Sequence, residues 1–379
     1  MPYEIQLDTP GGYATAAARK GEEVSVLVRE FVSSEDGDYF IERLEGWPRI
    51  IINALPQESG IKPSIVDHLL AVIRTDKTAT VYVNEINIKT RITLKGRDIE
   101  AGQYVYADDI ADIQKLLLDE ITIPEDAGIL FVFSKGWRKG LFYDFKPLHG
   151  ASPQPRDYDL EMLLGQYYAY LSSQHLFKLP DDVWDKLIAQ RWFPFISLKK
   201  KTIEAIISRA KSGWDVDELL ESVSTELTEA LPAMLKKWER NHLFTSHFAI
   251  FKQAVDRFLE KDYISATAIL YPRIEGLMRS YLSTSGTNIH ASQKNLVTST
   301  IDAKSNERHN YSLLLPNRFR RYLEEVYFAN FDPNNPTVLS RNSVAHGVAP
   351  QEDFSLKGAV IGMLVLDQLS FYIGSQDNP

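Results

Sequence analysis

The hydrophobic pattern of this chain changes period once, and that change limits the folds open to it. Up to about residue 150, apolar residues fall in short runs with β-branched content; beyond that they recur about every 3.6 residues. The first pattern suits strands and the second suits helices. The expectation is therefore a multidomain α+β protein: a β-rich domain over 1–150, a helical connecting region over 151–240 and an all-helical domain over 241–379. A chain of 379 residues is long enough for such a division. Residues 146–159 hold Pro147, Pro153 and Pro155 with Gly150 and Ser152, the best linker composition in the sequence.

In the first half, residues 24–28, 50–52 and 99–106 read as strands, and 80–84 with 89–94 as a hairpin about residues 85–88. Residues 113–118 read as a short helix begun near Asp108 or Asp109. The runs 129–133 and 141–145 flank Lys135-Gly136-Trp137-Arg138-Lys139-Gly140, which predicts a hairpin with a basic, aromatic tip. Such a tip can stack on and neutralise a nucleic-acid strand. The plainer reading, aromatics in a core and cations in solvent, is preferred. This half shows no glycine-rich dinucleotide fingerprint, phosphate-binding loop or HExxH motif, so its role is expected to be sensing or targeting.

In the second half, residues 160–172 form a tyrosine-rich helix and Pro180-Asp181-Asp182 opens another. Lys199-Lys200-Lys201 leads a helix through Arg209; the triplet reads as a solvated face more readily than as a phosphate site. Residues 217–229 and 233–240 read as helices broken by Pro232. Phe244, Phe248, Phe251, Val255 and Phe258 make an apolar seam, and a helix over 263–282 follows, with a kink expected at Pro272. Glu275 falls on that helix's apolar line, where a carboxylate needs a partner. Two assignments stay open: Arg279 four residues on, or Arg341 or His346 reached inward. Residues 284–310 are polar and read as a long loop, with His290 and His309 as surface histidines. Residues 316–328 predict a helix bearing Arg318, Arg320 and Arg321, and 332–336 a turn cluster. Residues 354–373 close the chain as a helix whose Asp367 is either buried and paired or its one polar edge.

Composition narrows the chemistry. At 44% hydrophobic and 25% charged the sequence is that of an ordinary globular protein. A net charge of −9 gives no global basic field, although a local patch is enough to hold a few phosphates. With no cysteine, thiolate nucleophiles, disulfides and Cys-ligated metals are ruled out within this sequence. The histidines show no ligand spacing, so no metal and no cofactor is expected. Residues 1–10 lack the apolar core of a signal peptide, and the apolar run 358–373 is too short to span a membrane. A soluble cytoplasmic protein without a membrane partner is the expectation.

The densest chemistry lies in Ser340-Arg341-Asn342-Ser343-Val344-Ala345-His346-Gly347, followed by Pro350. Asn335-Pro336 reads as an N-cap with a first-turn proline, and Gly347 with Pro350 as a stop, which predicts a helix over 336–346. On it Asn342 and His346 share a face, Arg341 lies beside them, and His346 sits in the last turn. Proton transfer and ordinary C-capping are both open to that histidine.

Arg341-Asn342-Ser343-Val344-Ala345-His346 resembles the R-N-x-x-x-H form of the signature of HEPN domains, helical bundles found in many prokaryotic defence and toxin ribonucleases. Tyr271-Pro272-Arg273-Ile274-Glu275-Gly276-Leu277 upstream is similar to the arrangement in one set of bacterial members. The resemblance spans roughly 244–376. It implies a HEPN-like C-terminal bundle, catalytic Arg341, Asn342 and His346, a homodimer with a composite site, and an antitoxin or activator as partner. Residues carry the same chemistry by themselves. Attack by an RNA 2′-hydroxyl needs proton transfer, which histidine supplies near neutral pH, and a cation on the phosphorane, which arginine supplies. Asn342 can orient the imidazole or bond a phosphate oxygen, Glu275 can support the site, and Arg318, Arg320 and Arg321 can hold RNA. The leading expectation is a metal-independent endoribonuclease leaving 2′,3′-cyclic phosphate ends, acting as a toxin or antiviral effector. A HEPN-type module that binds nucleotide, RNA or protein without cutting is the second; a purely structural cap-and-bridge role for Arg341 and His346 is the third.

Overall fold

Strands dominate the first 150 residues and helices the remainder, in a computed structural model that describes residues 2–149, 154–284, 286, 290–305, 311–330 and 339–373. The strands are β1 (Tyr3–Gln6), β2 (Tyr13–Ala14), β3 (Val26–Leu27), β4 (Arg29–Ser33), β5 (Leu69–Ile73), β6 (Thr78–Val83), β7 (Ile88–Leu94), β8 (Ile110–Leu118), β9 (Gly128–Lys135) and β10 (Arg138–Asp144). Early helices α1 (Asp38–Glu45) and α2 (Trp47–Ala54) lie among them. After these come α3 (Leu160–Phe177), α4 (Asp181–Ala189), α5 (Lys200–Ser212), α6 (Leu220–Arg240), α7 (Phe248–Leu259) and α8 (Tyr263–Thr284). Last are α9 (Gln293–Ser305), α10 (Pro316–Tyr322) with a π-helical turn over Leu323–Tyr327, α11 (Arg341–Ala345) and α12 (Leu356–Ser370). The chain divides into two compact units, residues 1–91 with 113–174 and residues 92–112 with 175–379, where three domains were expected. The division falls inside α3 and not in the proline-rich stretch, of which 150–153 lie outside the described residues.

The first unit is built on an antiparallel sheet of order β1-β6-β5-β9-β10-β4. Alternation along β9 and β10 sends Leu130, Val132, Leu141 and Tyr143 into a core shared with Phe40, Ile51 and Ala71. The opposite face is covered by α3, whose Tyr167 stacks on Phe31 at 4.0 Å between ring centroids. The expected β9–β10 hairpin is present, with a two-residue turn at Gly136-Trp137 and Gly136 at φ +62°. Its cations are occupied: Arg138 donates to the Leu171 carbonyl at 2.8 Å and Lys139 to that of Val66 at 2.7 Å. Trp137 stands in solvent, 75% exposed, beside the exposed Lys135, whose Nζ lies 5.0 Å from the centroid of the Tyr168 ring.

Four local readings of this region are corrected. Residues 50–52 are helical, because Pro48 starts α2 and the helix buries Ile51 and Ile52 while leaving Ile50 outside. Residues 80–94 make no hairpin: β6 pairs with β1 and β5, while β7 pairs with β8. Asn84, at φ +57°, ends β6 by accepting from the backbone of Asp67 and His68. Residues 113–118 belong to β8, since the Asp108-Asp109 signal is spent on one 3-10 turn and pairing with β7 decides the rest. Residues 99–106 are irregular, held by Arg97, which grips Asp109 and the Tyr104 carbonyl.

The second unit packs α12 against α8 and α6, and α8 against α7, α9 and α11. Glycines allow that approach. A Cβ on Gly358 would meet the Asp353 carbonyl oxygen at 2.6 Å, and one on Gly362 would meet Leu270 at 3.0 Å. Pro232 lies inside a continuous α6; it is exposed, so the carbonyl it leaves unbonded can face water. Pro272 likewise lies within α8. Residues 293–305, expected as loop, form α9: Ser292 caps it through Asn295, and Leu296, Val297 and Ile301 are buried. His309 and residues 332–336 lie outside the described residues. Asp367 is buried and paired, with Lys237 at 2.6 Å, Trp238 Nε1 donating at 3.0 Å and the Ser197 hydroxyl at 2.5 Å. Burial lowers the Lys237 pKa from its usual value, and the Asp367 charge opposes that shift. Among the described residues no helix is long and apolar enough to cross a membrane.

Removing one partner of a buried pair strands the other charge. Lys237→Met is therefore expected to lower unfolding free energy by about 3 kcal/mol in urea titrations.

Candidate active site

Helix α11 is only five residues long, so its position comes from side chains and not from intrinsic helix stability. Its N-cap is Ser340 and not Asn335, which lies outside the described residues together with the predicted start at Pro336. The Ser340 hydroxyl accepts from the Ser343 amide at 3.1 Å, and the Ser343 hydroxyl accepts from the Ser340 amide at 2.9 Å. Both serines are fully buried, and Arg191 donates to the carbonyl of Leu339 just before them. The helix stops as expected at Gly347, whose φ is +68°.

Arg341 and Asn342 reach different elements from α11, and their side chains touch each other at 3.2 Å. Arg341 forms an ion pair with Glu275 of α8, and its side chain is 22% exposed. Glu275 is 1% exposed and takes both partners that the sequence left open: Arg279 also donates its Nε at 2.7 Å. One buried carboxylate thus fixes two guanidinium groups and pins α11 to α8.

Asn342 points inward. Its amide nitrogen donates to the carbonyls of Phe328 at 3.0 Å and Ala329 at 3.3 Å, while its oxygen accepts from Gln293 and from Arg341 Nη1. Its carboxamide therefore ties α11 to the end of the π-helical turn and to α9. His346 is the C-cap and is exposed, whereas Asn342 is buried. The His346 amide donates to the Asn342 carbonyl at 3.1 Å, so the two residues stand one helical turn apart, Asn342 at the buried end and His346 at the exposed end.

The three α10 arginines do not make an open basic patch. Arg318 pairs with Asp181 at 2.7 Å, Arg320 with Asp302, and Arg321 with Asp185 at 2.7 Å and Glu325 at 2.8 Å. The carboxylates around Arg321 push its pKa above the usual range. Sequence reasoning placed RNA there because it counted cations without the acids that α4 and α9 bring beside them.

Cations missed by that count lie on α8. Arg273 is exposed, and no ion pair to it is found among the described residues. Arg279 is 48% exposed beyond its bond to Glu275. His247, at the N-cap of α7, lies with Nε2 2.9 Å from the Ser280 hydroxyl. Burial and then the Arg273 charge hold the His247 pKa below the usual histidine value. Arg273 was readable in the quoted Tyr271–Leu277 segment, but its exposure was not.

A cavity of about 720 Å³ lies in the first unit, lined in part by Leu116, Ile121, Glu125, Asp157 and Glu161. Its one arginine, Arg156, is consumed by the carbonyls of Ala127 and Pro124, so no catalytic constellation converges there. Among the described residues, no three His, Asp or Glu side chains are grouped to hold a metal ion. No protein-family model, no curated protein and no solved structure matches the chain.

Asn342→Ala would leave the Phe328 and Ala329 carbonyls without their donor, and about 2 kcal/mol of stability is expected to be lost in urea unfolding. Because folded His247 binds its proton less readily than the unfolded residue, stability falls as pH drops below about 6.5. His247→Asn is expected to flatten that part of the stability–pH curve.

Proposed function

We propose that the second unit is a metal-independent endoribonuclease of HEPN type that works as a homodimer. Fixation of Arg341 by the buried Glu275, with the exposed His346 five residues further on, is the observation that carries this reading. A guanidinium already held in place needs no reorganisation when negative charge builds on a phosphorane. The resemblance of residues 341–346 to the HEPN signature supports the same reading. So does the succession of α7 and α8, the short α11 and the closing α12.

In the proposed reaction the RNA 2′-oxygen attacks phosphorus and the bond to the 5′-oxygen breaks. His346 of one copy accepts the 2′-hydroxyl proton, and His346 of the second copy donates a proton to the leaving 5′-oxygen. Arg341 lies against the non-bridging oxygens. The products are a 2′,3′-cyclic phosphate and a 5′-hydroxyl, and the charges balance once the two imidazoles exchange a proton with water. Asn342, whose amide is committed to Phe328, Ala329 and Gln293, is given a positioning part and not a phosphate contact. A toxin or antiviral effector controlled by an antitoxin or activator is the proposed setting, with the first unit as its sensing or targeting part.

That committed amide also favours a second reading, a HEPN-type module that binds RNA, nucleotide or protein without cutting it. Cleavage of mixed RNA in EDTA separates the two. Arg341→Ala and His346→Ala are each expected to slow cleavage by at least about 100-fold with circular dichroism unchanged. Cleavage that persists in both variants, or that requires added metal, contradicts the assignment. Binding of RNA by the wild type with no cleavage supports the module.

A further inference from the structure

Beyond the Glu275–Arg341 contact, α8 presents a continuous outward arc. At about 100° per residue, Arg279, Gly276, Ser280 and Arg273 follow Glu275 round the helix at roughly 40°, 100°, 140° and 160°. Glu275 is buried beneath Arg341, and the exposed Arg279 and Arg273 stand on either side of the half-buried Gly276 and Ser280. His247 closes the far edge. Its ring stacks near Phe251 at 5.9 Å, and its Cε1 is 3.6 Å from where a Gly276 Cβ would stand. The missing side chain leaves the helix backbone low between Arg279 and His247.

Charge on this arc is one-sided. Glu275 is the sole carboxylate in α8, and it already faces both Arg279 and Arg341. With Arg273 the strip holds three guanidinium groups against one carboxylate, in a chain whose net charge is −9. The Arg318, Arg320 and Arg321 group has no such excess, since each has its own acid. An unbalanced row of arginines with a hydroxyl between them suits successive phosphate oxygens, because the planar fork matches phosphate and the Ser280 hydroxyl, which donates to the Gly276 carbonyl at 3.1 Å, can turn that donor to a phosphate.

We propose that the α8 strip of Arg273, Ser280 and Arg279, bordered by His247, is a phosphodiester-binding track that leads an RNA strand to Arg341. That the polyanion is RNA rests on the ribonuclease reading; the one-sided charge does not. The track binds backbone and not sequence, and Arg279 has a double role, holding Glu275 with Nε and Nη2 at 2.7 and 2.6 Å while its side chain stays 48% exposed.

The test is the affinity of full-length protein for a fluorescent 2′-O-methyl RNA, which cannot be cut through its own 2′-oxygen, over a range of salt. Arg273→Glu is expected to weaken binding at least about tenfold near 0.1 M salt and to reduce the log–log salt slope by about 0.7. Ser280→Ala is expected to weaken it about threefold, in keeping with one lost neutral hydrogen bond. Lys211→Glu, on α5 and of the same charge change, should leave affinity within twofold. Equal binding by wild type and Arg273→Glu, or equal weakening by Lys211→Glu, overturns the track. Failure of the nuclease reading shows separately: unmodified RNA stays intact while Arg273-dependent binding persists, and the track then stands as a binding surface.

Discussion

The carboxylate of Glu275 is the contact on which the arrangement of the second unit's motif depends. It is almost wholly removed from water, where an unpaired charge would be costly. Arg279 from the next turn of α8 and Arg341 from α11 meet it together. The consequence is positional. A five-residue helix has little stability of its own, so α11 stays in place through Glu275, the Asn342 amide, the Ser340–Ser343 box and the Arg191–Leu339 bond. Apart from the Ser340–Ser343 box, which caps the helix itself, these ties reach different elements and leave the helix little freedom to rotate. The same ties turn Asn342 inward, bring Arg341 onto α8 and leave His346 at the exposed end.

Charged side chains in this unit sort into three roles. Lys237 and Asp367 are buried together with Trp238 and Ser197 and bind α6 to α12. The α10 arginines bridge outward to acids on α4 and α9, in pairs that solvent largely screens. Along α8, Arg273 and Arg279 share the single carboxylate of Glu275, which also binds Arg341. A chain that is acidic as a whole therefore keeps a local positive face beside its motif, the condition for holding a polyanion without a basic protein around it.

Much of this was legible in the sequence, and the failures have physical causes. The β9–β10 hairpin, the α7 seam, α8, α12 and the Gly347 stop were all readable because period and turn chemistry agree there. Glu275 stood out as a carboxylate on an apolar line, although pattern alone could not say that it would take two partners at once. Helix α9 was missed because three apolar residues among serines, threonines and asparagines give a weak period, and burial under neighbouring helices decides it. Residues 113–118 were misread because pairing with β7 outweighs a local capping signal. The motif helix was read as longer than the one that forms, because Ser340 and not Asn335 caps it. The α10 arginines looked like a patch because the acids opposite them come from elements more than ten residues away in sequence.

In the proposed mechanism Arg341, held by Glu275, and His346 cut RNA through its own 2′-hydroxyl. The chemistry of the cut ends tests it most directly. RNA incubated with the protein in EDTA should carry 2′,3′-cyclic phosphates on the upstream fragments and 5′-hydroxyls on the downstream ones. Upstream 3′-hydroxyls with downstream 5′-phosphates would show attack by water from outside the strand, and would contradict the mechanism even if Arg341 and His346 proved essential.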